Sequence, residues 1–224
     1  MIPGCSSSDL QLCQSVFGER LGLVEEYARI LGDEGIVWGL IGPREADRIF
    51  ERHIVNSLCV VPLIGAGSWV ADLGSGAGLP GLPIALARPD CLVDLVEPML
   101  RRVEFLQMCV SRLGLEEQVR VVRASAQEYF GLLRKSGRSG GRGHVGRTQA
   151  PDVVTCRAVK SVAGLVDLVH GLVPPGVLLS IKGEKADEEV AAAQSVLSER
   201  QLYAEVLHPL VADRVVGTVV RLSA

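Results

Sequence analysis

From Asp9 to Leu31 the apolar residues Leu10, Cys13, Val16, Phe17, Leu21, Val24, Tyr27, Ala28 and Leu31 recur at three- and four-residue spacings, the pattern of an amphipathic helix. Gly18 and Gly22 weaken it. A second helix is predicted from Arg44 to about Val61, entered through Pro43 at its first turn and carrying Ile49, Phe50, Ile54, Ser57 and Leu58 on one side. Beyond it the pattern alternates. Buried strands are predicted at Trp69 to Leu73, Cys91 to Val96, Val119 to Arg123, Asp152 to Cys156 and Val177 to Ile181. Helices are predicted between and after them at Leu82 to Arg88, Leu100 to Leu113, Ser161 to Leu172 and Ala186 to Arg200. The tail "LYAEVLHPLVADRVVGTVVRLS" offers two more strand-like runs separated by "VADR", with no helix between them. Repeated βα units closed by a hairpin imply an α/β fold, a mostly parallel sheet with one antiparallel strand at or near its edge. A length of 224 residues at 48% hydrophobic composition suits one such core with appendages. The expected division is an N-terminal helical extension over 1–61 and one Rossmann-like domain over 62–224.

Charge alters this picture locally. The net charge is −3, yet residues 131–150, "GLLRKSGRSGGRGHVGRTQA", hold Arg134, Lys135, Arg138, Arg142 and Arg147 with no acid. Removing those five positive charges from −3 leaves −8 for the remainder, so positive charge is concentrated there. Its glycines and cations predict a flexible basic insertion. The six cysteines form no C-x-x-C pair and no metal-ligand spacing, so they read as reduced packing residues, and no metal is expected. No basic n-region precedes an apolar run near the N-terminus, where the first positive residue is Arg20. The longest uncharged run, Ile54 to Ala71, is 18 residues but is broken by Asn56, Ser57, Pro62, Gly65 and Gly67, so it offers no continuous apolar span of bilayer length. A soluble cytoplasmic protein with no membrane partner is expected.

The chemistry sits at "SWVADLGSGAGLPGL", Ser68 to Leu82, where an apolar run ends in an acid and then Gly74, Gly76, Gly78 and Gly81. Read from Gly76, "GAGLPG" satisfies G-x-G-x-x-G and points to a nicotinamide or flavin enzyme. Read from Asp72, "DLGSGAG" points to S-adenosylmethionine, because an acid beside the turn suits a ligand bearing a sulfonium and an ammonium better than a pyrophosphate. Glu97, ending the next strand in "LVDLVEP", is placed to accept from ribose hydroxyls. Either cofactor presents a ribose. A nicotinamide-dependent oxidoreductase and a nucleotide-regulated RNA-binding module are the alternatives.

The segments "RHIVNSL" (Arg52 to Leu58), "ADLGSGAGLPGLPIALARPD" (Ala71 to Asp90), "RRVEFL" (Arg101 to Leu106), "CRAVKSV" (Cys156 to Val162) and "SIKG" (Ser180 to Gly183) resemble, in order, the motifs of the glucose-inhibited division protein B family. The resemblance covers Pro43 to Lys182, and G-L-P-G-L-P within the glycine turn is specific to that family. It implies a class I methyltransferase fold with a seven-stranded sheet. It further implies methyl transfer from S-adenosylmethionine to N7 of a guanine in 16S ribosomal RNA, on the RNA or an assembly intermediate, by a monomer. The family commonly has Asn-Leu-Thr where this chain has Gly39, Leu40 and Ile41, and Arg-Ala-Glu where it has Ser125, Ala126 and Gln127.

Asp72, Gly74, Gly76, Leu79, Glu97, Ala126, Gln127 and Arg157 are the expected cofactor contacts, with a backbone amide at Ala126 or Gln127 serving the adenine edge. Guanine N7 carries a free lone pair at neutral pH, so its attack on a sulfonium methyl needs positioning and no general base. No catalytic residue is therefore required, with Arg157 and Lys182 as the groups best placed to assist. Arg101, Arg102, Lys182 and His53 are the expected RNA contacts.

Overall fold

A computed structural model of the chain describes residues 5–139, 150–157, 160–169 and 177–223. Helix α1 (Ser7–Phe17) starts at Ser6, whose hydroxyl accepts from the Asp9 amide at 3.1 Å, and ends at Gly18. Helices α2 (Leu21–Gly32) and α3 (Glu34–Val37) follow, so the first predicted helix is broken at the glycine that weakened it. The second predicted helix is entered through Pro43 but wound in three ways. It is a 3-10 helix at Pro43–Arg48, a π-helix at Phe50–Val55 and a 3-10 helix at Leu58–Leu63. Ser57 Oγ donates to the His53 carbonyl, competing for the acceptor of a regular turn, and Pro62 has no amide to offer.

Strands β1 (Trp69–Leu73), β2 (Leu92–Val96), β3 (Val119–Val122), β4 (Val153–Arg157), β5 (Val177–Lys182), β6 (Tyr203–Leu207) and β9 (Thr218–Ser223) form one sheet in the order β3-β2-β1-β4-β5-β9-β6. All pairings are parallel except those of β9, which runs antiparallel to both β5 and β6. The antiparallel strand thus lies one place inside the edge. Between β6 and β9 the chain makes a separate two-stranded hairpin, β7 (Leu210–Val211) and β8 (Arg214–Val215), with "VADR" as its turn. Pro209 interrupts the first predicted run. Gly217 interrupts the second, because the backbone there passes so close to Asn56 and Cys59 that a Cβ would stand 2.7 Å from Asn56 Nδ2.

Side chains alternate between the two faces. Val70, Val93, Leu95, Val119, Leu179 and Val219 share one apolar cluster with the N-terminal helices, the π-helix, α4 (Gly81–Ala87) and α5 (Leu100–Arg112). Ala71, Leu73, Val96, Val154, Leu178 and Val220 share the other with α6 (Ala126–Ser139), α7 (Val162–Val169), α8 (Ala186–Ala192) and α9 (Gln194–Glu199). The predicted charged helix 186–200 is therefore two, meeting at fully buried Ala193. The basic segment also differs from expectation. Helix α6 continues through Ser139, so residues 131–139 are helical, while the rest of the predicted insertion, 140–149, lies outside the described residues. Among the described residues no helix is long and apolar enough to cross a membrane.

Candidate functional site

The sheet order reverses at β1, whose neighbours are β2 and β4, and the carboxyl ends of these strands bring Asp72, Glu97 and Arg157 to one edge. The turn leaving β1 is fastened to β2 by the Gly74 and Ser75 amides, which donate to the Val96 carbonyl at 2.8 and 3.2 Å. Gly76 N–H donates to Glu97 Oε2 at 3.0 Å, and Met99 N–H donates to Oε1 at 3.1 Å. Glu97 is only 1% exposed, and its position is set by those two amides and by Arg102, 3.7 Å away. Each carboxylate oxygen keeps one further lone pair.

The glycines of the turn divide into two kinds. At Gly76, φ is +56°, and a Cβ would meet nothing nearer than the Gly74 carbonyl oxygen at 3.8 Å, so the backbone there borders open space. At Gly81 a Cβ would stand 2.3 Å from Leu95 Cδ2 and 2.8 Å from Asp72 Oδ2. Gly81 is there for close packing of α4 on the sheet, and its N–H donates to Asp72 Oδ2 at 3.0 Å. Asp72 is fully buried and its second oxygen, Oδ1, has no hydrogen-bond partner among the described residues. Desolvation pushes its pKa up from 3.8 to about 7, against the pull of the Gly81 amide and the Arg157 charge. A buried, unpartnered carboxylate oxygen and an open glycine cradle fit a ligand that brings a cation and lies against the backbone.

Arg157, at the end of β4, donates to His53 Nδ1 and, at 3.3 Å, to the Arg52 carbonyl. His53 Nε2 faces Glu45 Oε2 at 2.8 Å. An arginine can only donate, so Nδ1 is the acceptor and Nε2 carries the proton given to Glu45. Burial and the Arg157 charge hold the His53 pKa below its ordinary value, although Glu45 pulls it up. Burial likewise lowers the Arg157 pKa. Lys182, at the end of β5, donates to the Lys160 carbonyl at 2.6 Å and to Glu189 at 2.8 Å. On the other side of the turn, Ser125 and Glu128 close the start of α6 reciprocally. The Ser125 amide donates to Glu128 Oε2 at 2.8 Å and the Glu128 amide to Ser125 Oγ at 3.3 Å. The amides of Ala126 and Gln127 have no partner among the described residues.

The profile described as rRNA small subunit methyltransferase G matches residues 20–214. The Ribosomal RNA small subunit methyltransferase G of Mycolicibacterium smegmatis is 49% identical over 183 residues, 81% of this chain and 72% of that protein. The protein of the same name from Salinispora tropica is 46% identical over 185 residues, 82% of this chain and 72% of that one. The chain belongs to the rRNA small subunit methyltransferase G family. Among solved structures, a putative O-methyltransferase from Klebsiella pneumoniae shares the fold, with TM-score 0.56 and 13% identity over 88% of this chain and 89% of that one.

In this methyltransferase G family member, the structure brings Asp72, Gly76, Glu97 and Arg157 to one edge, and Gly74 lies in the same turn. Leu79 is buried inside the turn, where its amide donates to the Ser75 carbonyl at 3.1 Å. The four residues expected on RNA fall in two places, Arg101 and Arg102 at the start of α5 and His53 and Lys182 in one cleft. Arg101 lies over the Trp38 ring, Arg102 beside Glu97, and Lys182 is engaged with Glu189. His53 is buried between Glu45 and Arg157. Sequence reasoning missed Tyr27, whose hydroxyl donates to the Ala77 carbonyl at 2.9 Å and pins the glycine turn from α2. A tyrosine on an otherwise aliphatic helix face was the available signal. It also missed the Ser125-x-x-Glu128 capping box, which the motif itself announces.

Proposed function

We propose that this chain transfers a methyl group from S-adenosylmethionine to N7 of a guanine in small-subunit ribosomal RNA. Family membership supports methyl transfer to that RNA and removes the oxidoreductase and binding-module alternatives. The observation that carries the cofactor reading is the pairing of the open Gly76 cradle with Glu97 and the unpartnered Asp72 oxygen. Glu97 would accept from the ribose hydroxyls, as its remaining lone pairs allow, and the Ala126 and Gln127 amides would meet the adenine edge. Met99 and Leu100, exposed apolar residues two and three positions after Glu97, would cover the base. Asp72 would stand against the positive charge, in the low-dielectric interior where such attraction is strongest.

Bound S-adenosylmethionine supplies an electrophilic methyl on a sulfonium. Attack by an N7 lone pair would need no proton transfer, so this chain's residues would have only to align the reactants. Arg157, held through His53, is the side chain best placed to orient the reactants. A ribosomal RNA substrate supports a cytoplasmic setting. The test is incubation of the purified protein and S-adenosylmethionine with ribosomal RNA and with small subunits, followed by mapping of N7-methylated guanine through borohydride reduction and aniline-induced strand cleavage. One modified guanine is expected. Methylation at another atom, or on another class of acceptor, overturns the proposal.

A further inference from the structure

A cleft of about 860 Å³ opens between the π-helix, the ends of β4 and β5, and the β7–β8 hairpin. Arg48, Arg52, Arg157, Lys160, Lys182 and Arg214 line it, against three carboxylates. Those carboxylates are engaged: Glu51 by Arg48, Glu45 by His53 and Glu189 by Lys182. Arg52 shares Glu45 at 3.6 Å and Arg157 is engaged by His53 and the Arg52 carbonyl, which leaves two cations, in different ways. Lys160 Nζ has no partner among the described residues. Arg214 gives Nη2 to Asp9 at 2.8 Å, while its Nη1 is buried with no acceptor among the described residues. The rest of the Arg214 side chain is 41% exposed and lines the cleft, where an oxyanion would meet its charge.

The hairpin that carries Arg214 is built at some strain. Its turn residues Ala212 and Asp213 both have left-handed backbones, φ +46° and +60°, where glycine or asparagine is usual. Such strain persists where the surroundings hold it, here the Asp9–Arg214 pair and the Asn56 amide on the Val216 carbonyl at 3.2 Å. Arg157 forms part of the cleft and also interacts electrostatically with Asp72, so the cleft adjoins the cofactor edge.

We propose that this cleft receives a backbone phosphate of the ribosomal RNA beside the target guanine, bound by Arg214 and Lys160. The proposal rests on the RNA methyl-transfer reading and moves the RNA surface away from Arg101 and Arg102. The experiment compares RNA affinity across a salt series for the native protein, Lys160→Gln, Lys160→Gln/Arg214→Gln and, as control, Arg101→Gln/Arg102→Gln. Each cation removed from a phosphate should flatten the slope of log affinity against log salt by about 0.7 to 0.9. The double cleft variant should therefore lose about 1.5 in slope, with KM for RNA raised and S-adenosylmethionine affinity unchanged, while the control keeps the native slope. Asp9→Asn, which breaks the Arg214 pair and keeps the cation, should keep the slope and separates binding from hairpin support. Lys160→Gln alone decides the matter if the double variant fails to fold. Native slopes in the Lys160→Gln and double variants, or an equal loss in the control, overturn the proposal. Failure of the native protein to methylate RNA would overturn the functional reading instead.

Discussion

Gly76 and Gly81 both belong to the G-x-G-x-x-G pattern, yet alanine at the two positions should fail in opposite ways. At Gly76 the new methyl enters open space, and the penalty to folding is the left-handed backbone at φ +56°, about 1 to 2 kcal/mol. For a chain of this size that is a melting shift of roughly 2 to 8 °C. At Gly81 the methyl would sit 2.3 Å from Leu95 Cδ2 and 2.8 Å from Asp72 Oδ2. Overpacking of that kind costs about 1 to 3 kcal/mol. Displacing the Gly81 amide from Asp72 removes the buried carboxylate's hydrogen bond, adding about 1 to 3 kcal/mol. A total near 4 kcal/mol would lower the melting temperature by roughly 8 to 16 °C. For S-adenosylmethionine the order reverses. On the proposed cofactor site the Gly76→Ala methyl would enter ligand space, so affinity should fall by roughly ten- to a hundredfold, equivalent to about 1.4 to 2.8 kcal/mol. Gly81→Ala, studied at low temperature where it is folded, should bind more nearly as the native protein does. The assays are thermal unfolding by circular dichroism and titration calorimetry with S-adenosylmethionine. Native affinity in Gly76→Ala, or a melting shift in Gly81→Ala no larger than that in Gly76→Ala, refutes the division into a binding glycine and a packing glycine.

Asp72 titrates near 7 in the folded protein and near 3.8 in the unfolded chain, so between those values the native state holds the extra proton and stability falls as pH rises. At about 1.36 kcal/mol per unit the full loss is ~4 kcal/mol, and Asp72→Asn should abolish it. Urea unfolding of both proteins between about pH 4 and pH 8 measures this, and an unchanged pH dependence in the variant would exclude Asp72 as its source. Ionised Asp72 beside a cationic ligand should also make cofactor affinity rise with pH through about 7, checked by calorimetry across that range. Tyr27→Phe leaves the buried Ala77 carbonyl unpaired and should lower stability by about 1 to 3 kcal/mol; a native melting curve would show the hydroxyl to be idle. Glu97→Ala should weaken S-adenosylmethionine binding by about 1.5 to 3 kcal/mol, and unchanged calorimetric affinity would remove Glu97 from the site.

The sequence determined the order of βα units, the single antiparallel strand and the glycine turn, because these depend on hydrophobic period, turn chemistry and chain order, all local or nearly so. It also placed Asp72, Glu97 and Arg157 at strand ends, and strand ends of a parallel sheet share an edge. Tertiary structure decided what each group meets there. Gly76 and Gly81 are the same letter in one motif, and only the approach of Leu95 and Asp72 distinguishes them. His53 reads as one face of a helix, but the π winding and the end of β4, 104 residues away in the chain, make it a buried link between Glu45 and Arg157. Residues 131–139 read as loop from their glycines and cations, yet they continue a helix that a capping box starts and that Tyr129 and Phe130 anchor to the sheet. Tertiary packing there outweighs weak intrinsic propensity. The cleft beside Arg214 was beyond any local pattern, since it exists only where the second helical segment, the ends of β4 and β5, and a strained hairpin converge.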